Sequence, residues 1–239
     1  MLSFMTTIYQ ITDTHVSLVS RNLVLENFLV LMDYIAQHPA DLLVISGDLP
    51  GEDGNPEVYA WMKSQLPAGQ KTHVIPGNHD NAANLYSVFG AEICGNKDFL
   101  FTVELEAIDL IFTNTGSGSF PAEHLDYIQR DHIRDNSVLF THYPTKTLSA
   151  GFMDSNYSLS NIKEADDAIR QSRINTVFCG HFHTEHTVKD GYELNITPSP
   201  AFCVALHEKE PRITRARIPL RKIEVSGNST TSTIVYLDK

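Results

Sequence analysis

Asp13 and His15, Asp48, Asn78 with His79, His142, and His181 with His183 are carboxylates, imidazoles and one amide. These donors suit borderline or hard divalent cations such as Mn, Fe and Zn. They fall in five short clusters: Asp13-Thr14-His15, Gly47-Asp48, Gly77-Asn78-His79-Asp80, Thr141-His142 and Gly180-His181-Phe182-His183. Such a set can hold two cations about 3.5–4 Å apart, lowering the pKa of a bridging water and steadying the leaving oxygen of an in-line displacement at phosphorus. A neighbouring imidazole can then protonate the departing alkoxide. Thiolate-only sites are excluded, because Cys94, Cys179 and Cys203 are odd in number and lack paired spacing. They read as free buried thiols.

The spacing within clusters supports this chemistry. Asp-x-His and His-x-His put alternate side chains on one side of an extended chain, so both can reach the same centre. Glycine before Asp48, Asn78 and His181 lets the backbone turn sharply without a Cβ clash. Each cluster alone is an ordinary turn or surface loop. Five in this order, each closing an apolar β-type run, are not.

The elements that must position them alternate from end to end. Residues 7–12, 41–46 and 72–75 read as strands, and residues 22–37 and 57–65 as helices, the second opened by Pro56. This β-α-β-α-β half predicts a parallel sheet with helices on its faces. Residues 99–105 and 109–113 read as two strands joined by a tight turn. Residues 122–133 and 161–171 read as helices, and residues 137–140 and 176–179 as strands. Beyond residue 187, strand-like pieces dominate, at 192–196, 201–205, 212–218 and 233–237. The expected fold is α/β, an α+β-like four-layer sandwich: two packed mixed β-sheets flanked by helices, in one domain over residues 1–239. All five clusters then lie beyond the carboxyl ends of strands, where loops of open α/β sheets converge on ligands.

A chain of 239 residues, 42% hydrophobic and 20% charged, can bury one sizeable core. No apolar run approaches the ~18–20 residues that span a bilayer. The start lacks the features of a signal peptide, so a cytoplasmic location without membrane contact is expected. A formal charge of −11 disfavours nucleic-acid polymers as partners. Arg212, Arg215, Arg217, Arg221 and Lys222 read as a solvated strand face or hairpin, with a small anion patch as the alternative. His38, His73, His124, His132, His186 and His207 match no motif and read as exposed or helix-face residues; His186 is a candidate for the rim. Trp61, the only tryptophan, reads as core. Oligomeric state stays open.

The motif series resembles the calcineurin-like metallophosphoesterases, and most of all the CpdA/Icc-type class III cyclic-nucleotide phosphodiesterases. It spans residues 13–183. The resemblance implies a metallophosphoesterase fold and two divalent cations. It assigns Asp13, His15 and His183 to the first cation, Asp48 as the bridge, and Asn78, His142 and His181 to the second. It makes His79 the general acid or charge stabiliser at the phosphate, and attack by a metal-bridging hydroxide the reaction. In the family an acidic residue after the bridging Asp orients the equivalent of His79. Asp53, with Glu52 as alternate, is expected here, in a stretch that departs from the usual Gly-Asp-Leu-Val-x-Asp-Gly by one residue. Residues 113–116 lie where relatives place a loop near the site; a plain turn is the competing reading. The Asp-Arg pair of Ser/Thr phosphatases is absent, and His79 stands where lipid A pyrophosphatases carry Arg. The implied activity is hydrolysis of small phosphodiesters, 3′,5′-cyclic nucleotides such as cAMP among them. A phosphomonoesterase and a non-catalytic metal-stabilised binding module are the alternatives.

Overall fold

The structure is a computed structural model that describes residues 5–19, 23–51, 54–215 and 217–238. A first sheet has the strand order β13-β12-β1-β2-β3, and a second β4-β5-β6-β7-β9-β8. In the first, β1 (Met5–Ile11), β2 (Leu42–Ser46) and β3 (Thr72–Ile75) are parallel, and β12 (Ile218–Ser226) and β13 (Ser229–Leu237) close it as an antiparallel hairpin. In the second, β5 (Asp109–Phe112), β6 (Ser137–Phe140), β7 (Ile174–Cys179) and β9 (Tyr192–Ile196) are parallel. The edges β4 (Phe101–Glu104) and β8 (His186–Asp190) run antiparallel. A separate two-stranded hairpin joins β10 (Phe202–Val204) to β11 (Ile213–Arg215).

Alternation along the second sheet shows the layers. Leu110, Phe112, Val138, Phe140 and Phe178 pack into one cluster with the first sheet. Ile111, Leu139, Val177 and Cys179 face the other way, toward α5 (Ala122–Ile128), α6 (Phe152–Tyr157) and α7 (Ile162–Gln171). Inward and outward residues alternate because successive Cβ atoms leave a strand on opposite faces. Phe101, Phe112, Phe140 and Phe178 form a stacked ladder across four strands, with centroids 4.5, 5.1 and 5.5 Å apart. On the first sheet, α1 (Leu23–Gln37) buries Phe28, Leu31, Met32 and Ile35, and α2 (Pro56–Gln65) buries Val58, Tyr59 and Met62. β2 is buried along its whole length, as expected for a parallel strand covered on both faces.

Several expectations are corrected. The helix over 122–133 stops at Ile128, and tight turns from Arg130 N–H to Tyr127 O and Ile133 N–H to Arg130 O replace its last part. The strand over 212–218 is two elements, β11 and the start of β12. β12 then runs on to Ser226, beyond the strand expected over 212–218. Arg221 is not solvated but 3% exposed. Its guanidinium donates to Thr197 Oγ1 at 2.7 Å, Ile196 O at 2.9 Å and Ser232 Oγ at 2.9 Å. Thr197 continues the chain to Gln10, and Gln10 to Ser46. α6 had gone unread, and so had two further helices, α3 (Ala82–Phe89) and α4 (Ala91–Cys94). Their punctuation was present: Asn81 caps α3 by accepting from Asn84 N–H at 3.0 Å, and Gly90 ends it. His73 is neither exposed nor on a helix. It is buried in β3, with its ring bonded to Ile93 O at 2.9 Å. His124 is buried on the inner face of α5. Trp61 is only partly buried, against Phe28. The three cysteines are free thiols: Cys94 and Cys179 are buried and Cys203 is partly so. No helix among the described residues is long and apolar enough to cross a membrane.

Candidate metal centre

The five clusters all leave the carboxyl ends of parallel strands: Asp13 and His15 after β1, Asp48 after β2, Asn78 and His79 after β3, His142 after β6, and His181 and His183 after β7. Ladder hydrogen bonds continue past the strand ends. Asp13 N–H donates to Gly47 O, His15 N–H to Asp48 O, and Gly180 N–H to His142 O. This support matters because the backbone is strained. Asp13, His15, Asp48, His181 and His183 have φ of 52, 44, 52, 66 and 53°. They are five of the seven non-glycine residues with positive φ among the described residues. Side-chain-bearing residues avoid that region at a cost of order 1–3 kcal/mol each, so the surrounding bonds must hold them there. The glycines meet a second need. A Cβ on Gly77 would clash with Asp48 and His142, and one on Gly180 with Thr12 and Asp13.

The side chains gather into two groups that share Asp48. One contains Asp13, His15, Asp48 and His183; the other contains Asp48, His142 and His181. Within each, the candidate ligand atoms lie within 4.8 Å of one another. His183 Nε2 is 3.2 Å from Asp13 Oδ1 and 3.1 Å from His15 Nε2. His142 Nε2 is 3.4 Å from Asp48 Oδ2 and 3.3 Å from Asn78 Oδ1. Asn78 thus joins the second group.

The atoms facing away are already engaged. His142 Nδ1 bonds Ser46 O at 2.9 Å, His183 Nδ1 bonds Phe202 O at 3.2 Å, and His181 Nε2 bonds Tyr157 O at 2.9 Å. A carbonyl can only accept, so each of these nitrogens carries a proton, and the other presents its lone pair inward whenever the ring is neutral. The carboxylates follow the same plan. Asp48 Oδ1 accepts from His79 N–H at 2.8 Å, which leaves Oδ2 for the centre. Asp13 Oδ2 accepts from Thr12 Oγ1 at 2.8 Å and His181 N–H at 2.9 Å. Two clusters of inward O and N lone pairs sharing one carboxylate fit a pair of divalent cations.

Electrostatics agree with that fit. Burial opposes the charge on Asp13, yet His183 and His142 hold its carboxyl below the usual range. Burial likewise opposes Asp48, and His142 and His15 pull it far down. Burial and the neighbouring His183 press His15 down to about 4, and burial and His142 press His181 down to about 3. Both rings are therefore neutral donors at pH 7. His142 goes the other way: burial lowers it, but Asp48 outweighs burial and raises it to about 9.

His79 stands at the rim, with its ring edge-on to His15 at 5.0 Å between centroids. The acidic residues expected to orient it, Asp53 and Glu52, lie outside the described residues. Residues 113–116 do not line the cavity. Thr115 Oγ1 pairs with Thr141 Oγ1 at 2.9 Å, and Gly116 abuts the carbonyl of Gly77, so the loop braces the second group from behind. His186 does not line the cavity; its ring lies beside that of His207, with centroids 6.2 Å apart.

The sequence reading missed the braces. Asp80 accepts from the N–H groups of Asp48 at 2.7 Å and Gly77 at 2.8 Å and from Tyr59 Oη at 2.8 Å, tying two ligand turns together. Its place in Gly77-Asn78-His79-Asp80 was the available signal. Nothing in the sequence pointed to Tyr59, to Ser199, which donates to Asp13 O at 2.7 Å, or to the carbonyls of Tyr157 and Phe202.

The groups open into a cavity of about 360 Å³. One side is His15, Asp48, Asn78, His79, His181 and His183; the other is apolar, from α6 and the β10–β11 hairpin.

The chain is similar to known proteins over most of its length. A sequence profile of calcineurin-like phosphoesterases matches residues 6–185. A probable cyclic nucleotide phosphodiesterase of Fibrobacter succinogenes is 28% identical over 200 residues, 80% of this chain and 78% of the relative. The 3′,5′-cyclic adenosine monophosphate phosphodiesterase CpdA of Escherichia coli K12 is 24% identical over 245 residues, 96% and 88% of the two chains. Among solved structures, a dimetal phosphatase from Danio rerio has a TM-score of 0.63 at 10% identity, covering 97% of this chain and 98% of its own. A purple acid phosphatase from yellow lupin seeds has a TM-score of 0.65 at 12% identity, covering 98% of this chain and 52% of its own. These two share the fold.

Proposed function

We propose a phosphodiesterase, and the premise is that this chain belongs to the calcineurin-like phosphoesterase family. It is accordingly a metal-dependent hydrolase of phosphoesters, of a family that works with two metal ions. The finer reading is hydrolysis of small phosphodiesters, with 3′,5′-cyclic nucleotides such as cAMP as the first candidates. The observation that carries it is the pair of donor groups sharing Asp48 beside His79. Relatives named for cyclic-nucleotide phosphodiesterase activity support the choice of substrate.

In this reading Asp13, His15, Asp48 and His183 hold one divalent cation, and Asp48, Asn78, His142 and His181 the other. Mn, Fe and Zn all suit this mixture of carboxylate, imidazole and amide. Bound there, the cations would neutralise phosphate oxygens and lower the pKa of a water between them, to be used as hydroxide. The chain's own groups do the rest. Asp48, fixed through its other oxygen by His79 N–H, holds both halves of the site in register. Carbonyls of Ser46, Phe202 and Tyr157 keep three imidazoles in the ligating tautomer. The His79 imidazole, latched to Asp48 through its own backbone, protonates the departing alkoxide. The acidic balance of the chain and the small cavity fit a small-molecule substrate in the cytoplasm, without nucleic-acid polymer or membrane.

Protein stripped of metal and reloaded with Mn²⁺ tests this against 3′,5′-cAMP, bis(p-nitrophenyl) phosphate and p-nitrophenyl phosphate. Efficient cleavage of cAMP with poor cleavage of the monoester is expected. Cleavage of the aryl diester alone would keep the mechanism and remove cAMP. Preference for the monoester would make the protein a phosphomonoesterase. Two bound cations with no turnover would favour a binding module.

A further inference from the structure

The wall facing the ligands binds no cation and moves no proton in the account above. Two pieces of chain far apart in sequence build it: α6, through Phe152 and Tyr157, and the β10–β11 hairpin, through Phe202, Val204 and Ile213. Tyr157 is 48% exposed and Ile213 62%, two of five large apolar side chains left in water among the described residues. Both border the same 360 Å³ cavity. Scattered apolar side chains need no explanation, but a cluster at the mouth of a cavity with convergent polar groups marks a binding surface.

Phe202 connects wall to floor. Its ring lies 4.2 Å from that of His183 and 5.6 Å from that of His15, and its carbonyl accepts from His183 Nδ1. A group resting on this ring is adjacent to a phosphate held by the ligands. Charge narrows the occupant. No lysine or arginine lines the cavity among the described residues. A second phosphate, reaching away from the ligands, would find no counter-charge in a chain of formal charge −11. A polyol would lose water from its hydroxyls against Phe152, Phe202, Val204 and Ile213, whose side chains offer no hydrogen bond in return.

We infer that α6 and the β10–β11 hairpin are the specificity wall of this site, taking the flat or apolar organic group of a singly charged phosphodiester, a nucleobase or an aryl ring. The inference rests on the phosphodiesterase reading. It makes the wall, not the cation ligands, the element that separates such esters from glycerol-type diesters and from doubly phosphorylated compounds.

Two diesters with a common leaving group test it. Bis(p-nitrophenyl) phosphate and methyl p-nitrophenyl phosphate carry the same charge and release the same phenolate; only the retained group differs. Manganese-loaded wild type is expected to favour the diaryl ester in kcat/KM by about ten-fold or more, the scale of a filled against an empty apolar contact. Ile213→Ser, at an exposed position, should remove most of that preference by raising KM for the diaryl ester. Its kcat, its methyl-ester activity and its two bound cations should persist. Phe202→Leu keeps an apolar group over His183 and removes the flat face; it should act in the same direction. Equal losses on both esters, or no loss on either, would overturn the wall assignment. Calorimetric binding of both esters to metal-loaded His79→Ala protein separates this inference from its premise. Preferential binding of the diaryl ester, with neither ester cleaved by wild type, would keep the wall and remove the phosphodiesterase. Cleavage of both with no preference in rate or binding would remove the wall alone.

Discussion

The floor and the wall of this cavity are built on opposite terms. On the floor, Asp13, Asp48, His142, His181 and His183 are each at most 4% exposed. The strained backbones of all but His142 are held by continued ladder bonds and neighbouring hydrogen bonds, and the outward atoms of the set by carbonyls, hydroxyls and N–H groups. The wall is a six-residue helix without a side-chain cap and two three-residue strands, with side chains half in water. Chemistry at phosphorus needs donors fixed to a fraction of an ångström, so the floor is over-determined. Recognition of an organic group needs shape and apolar area, which short, lightly held elements supply and can vary.

Substitutions should expose this difference. The largest effect is expected for Asp48→Asn, which removes the carboxylate common to both groups; turnover of any phosphoester should fall on the order of 10³-fold, with loss of bound cation. Elemental analysis together with kinetics checks it, and unchanged cation content would break the claim that Asp48 is shared. His79→Ala should lower turnover by about 10²-fold or more while both cations stay. A cation lost along with activity would make His79 part of the floor instead of the proton donor.

Proton linkage gives the next effect. Asp48 raises His142 from an ordinary 6.5 to about 9, so in the cation-free chain this proton stabilises the fold below about 6.5 and that contribution fades as pH rises through about 9. A cation must displace the proton. Apparent cation affinity should therefore climb by up to about ten-fold per pH unit between 6.5 and 9, with proton uptake by buffer seen in calorimetry. A flat profile would contradict the raised proton affinity of His142 in the cation-free chain.

Arg221→Met tests how far the floor reaches. It leaves the Ile196 carbonyl and the hydroxyls of Thr197 and Ser232 without their donor. A loss of about 1–3 kcal/mol is expected in denaturant unfolding, without a change in substrate preference. The smallest effect belongs to the wall: Ile213→Ser should leave stability within about 0.5 kcal/mol, since the side chain is already exposed. A large fall in Tm would mean that the hairpin is structural, not selective.

The same difference decides what was legible in the sequence. Each floor residue is of a type that few environments use, and each ends an apolar strand run, so type, order and strand position together located Asp13, His15, Asp48, Asn78, His142, His181 and His183 at one edge. The parallel strands around them were legible for the same reason: β2 is a short apolar run between helix-period segments, and β3 is a short β-type segment ending in Val74-Ile75 before Pro76-Gly77. The wall offers interchangeable apolar residues in elements too short to show a period, and α6 has no capping side chain to announce it. Arg221 was read as part of a solvated strand face or hairpin, yet it occupies a buried position of β12 that the pattern reserves for apolar residues; its bonds to Thr197, Ile196 and Ser232 explain it. Asp80 was visible but silent, since its work is to bind backbone N–H groups of two turns that meet only in the fold.

The two donor groups hinged on Asp48 are proposed to hold two cations that act together. The direct measurement is a titration of metal-stripped protein with Mn²⁺, following bound metal per chain and turnover of bis(p-nitrophenyl) phosphate in the same samples. Two cations per chain are expected in wild type, with activity rising as the second binds, and fewer than two in Asp48→Asn. Full activity at one cation per chain, or two cations retained in Asp48→Asn, would contradict this.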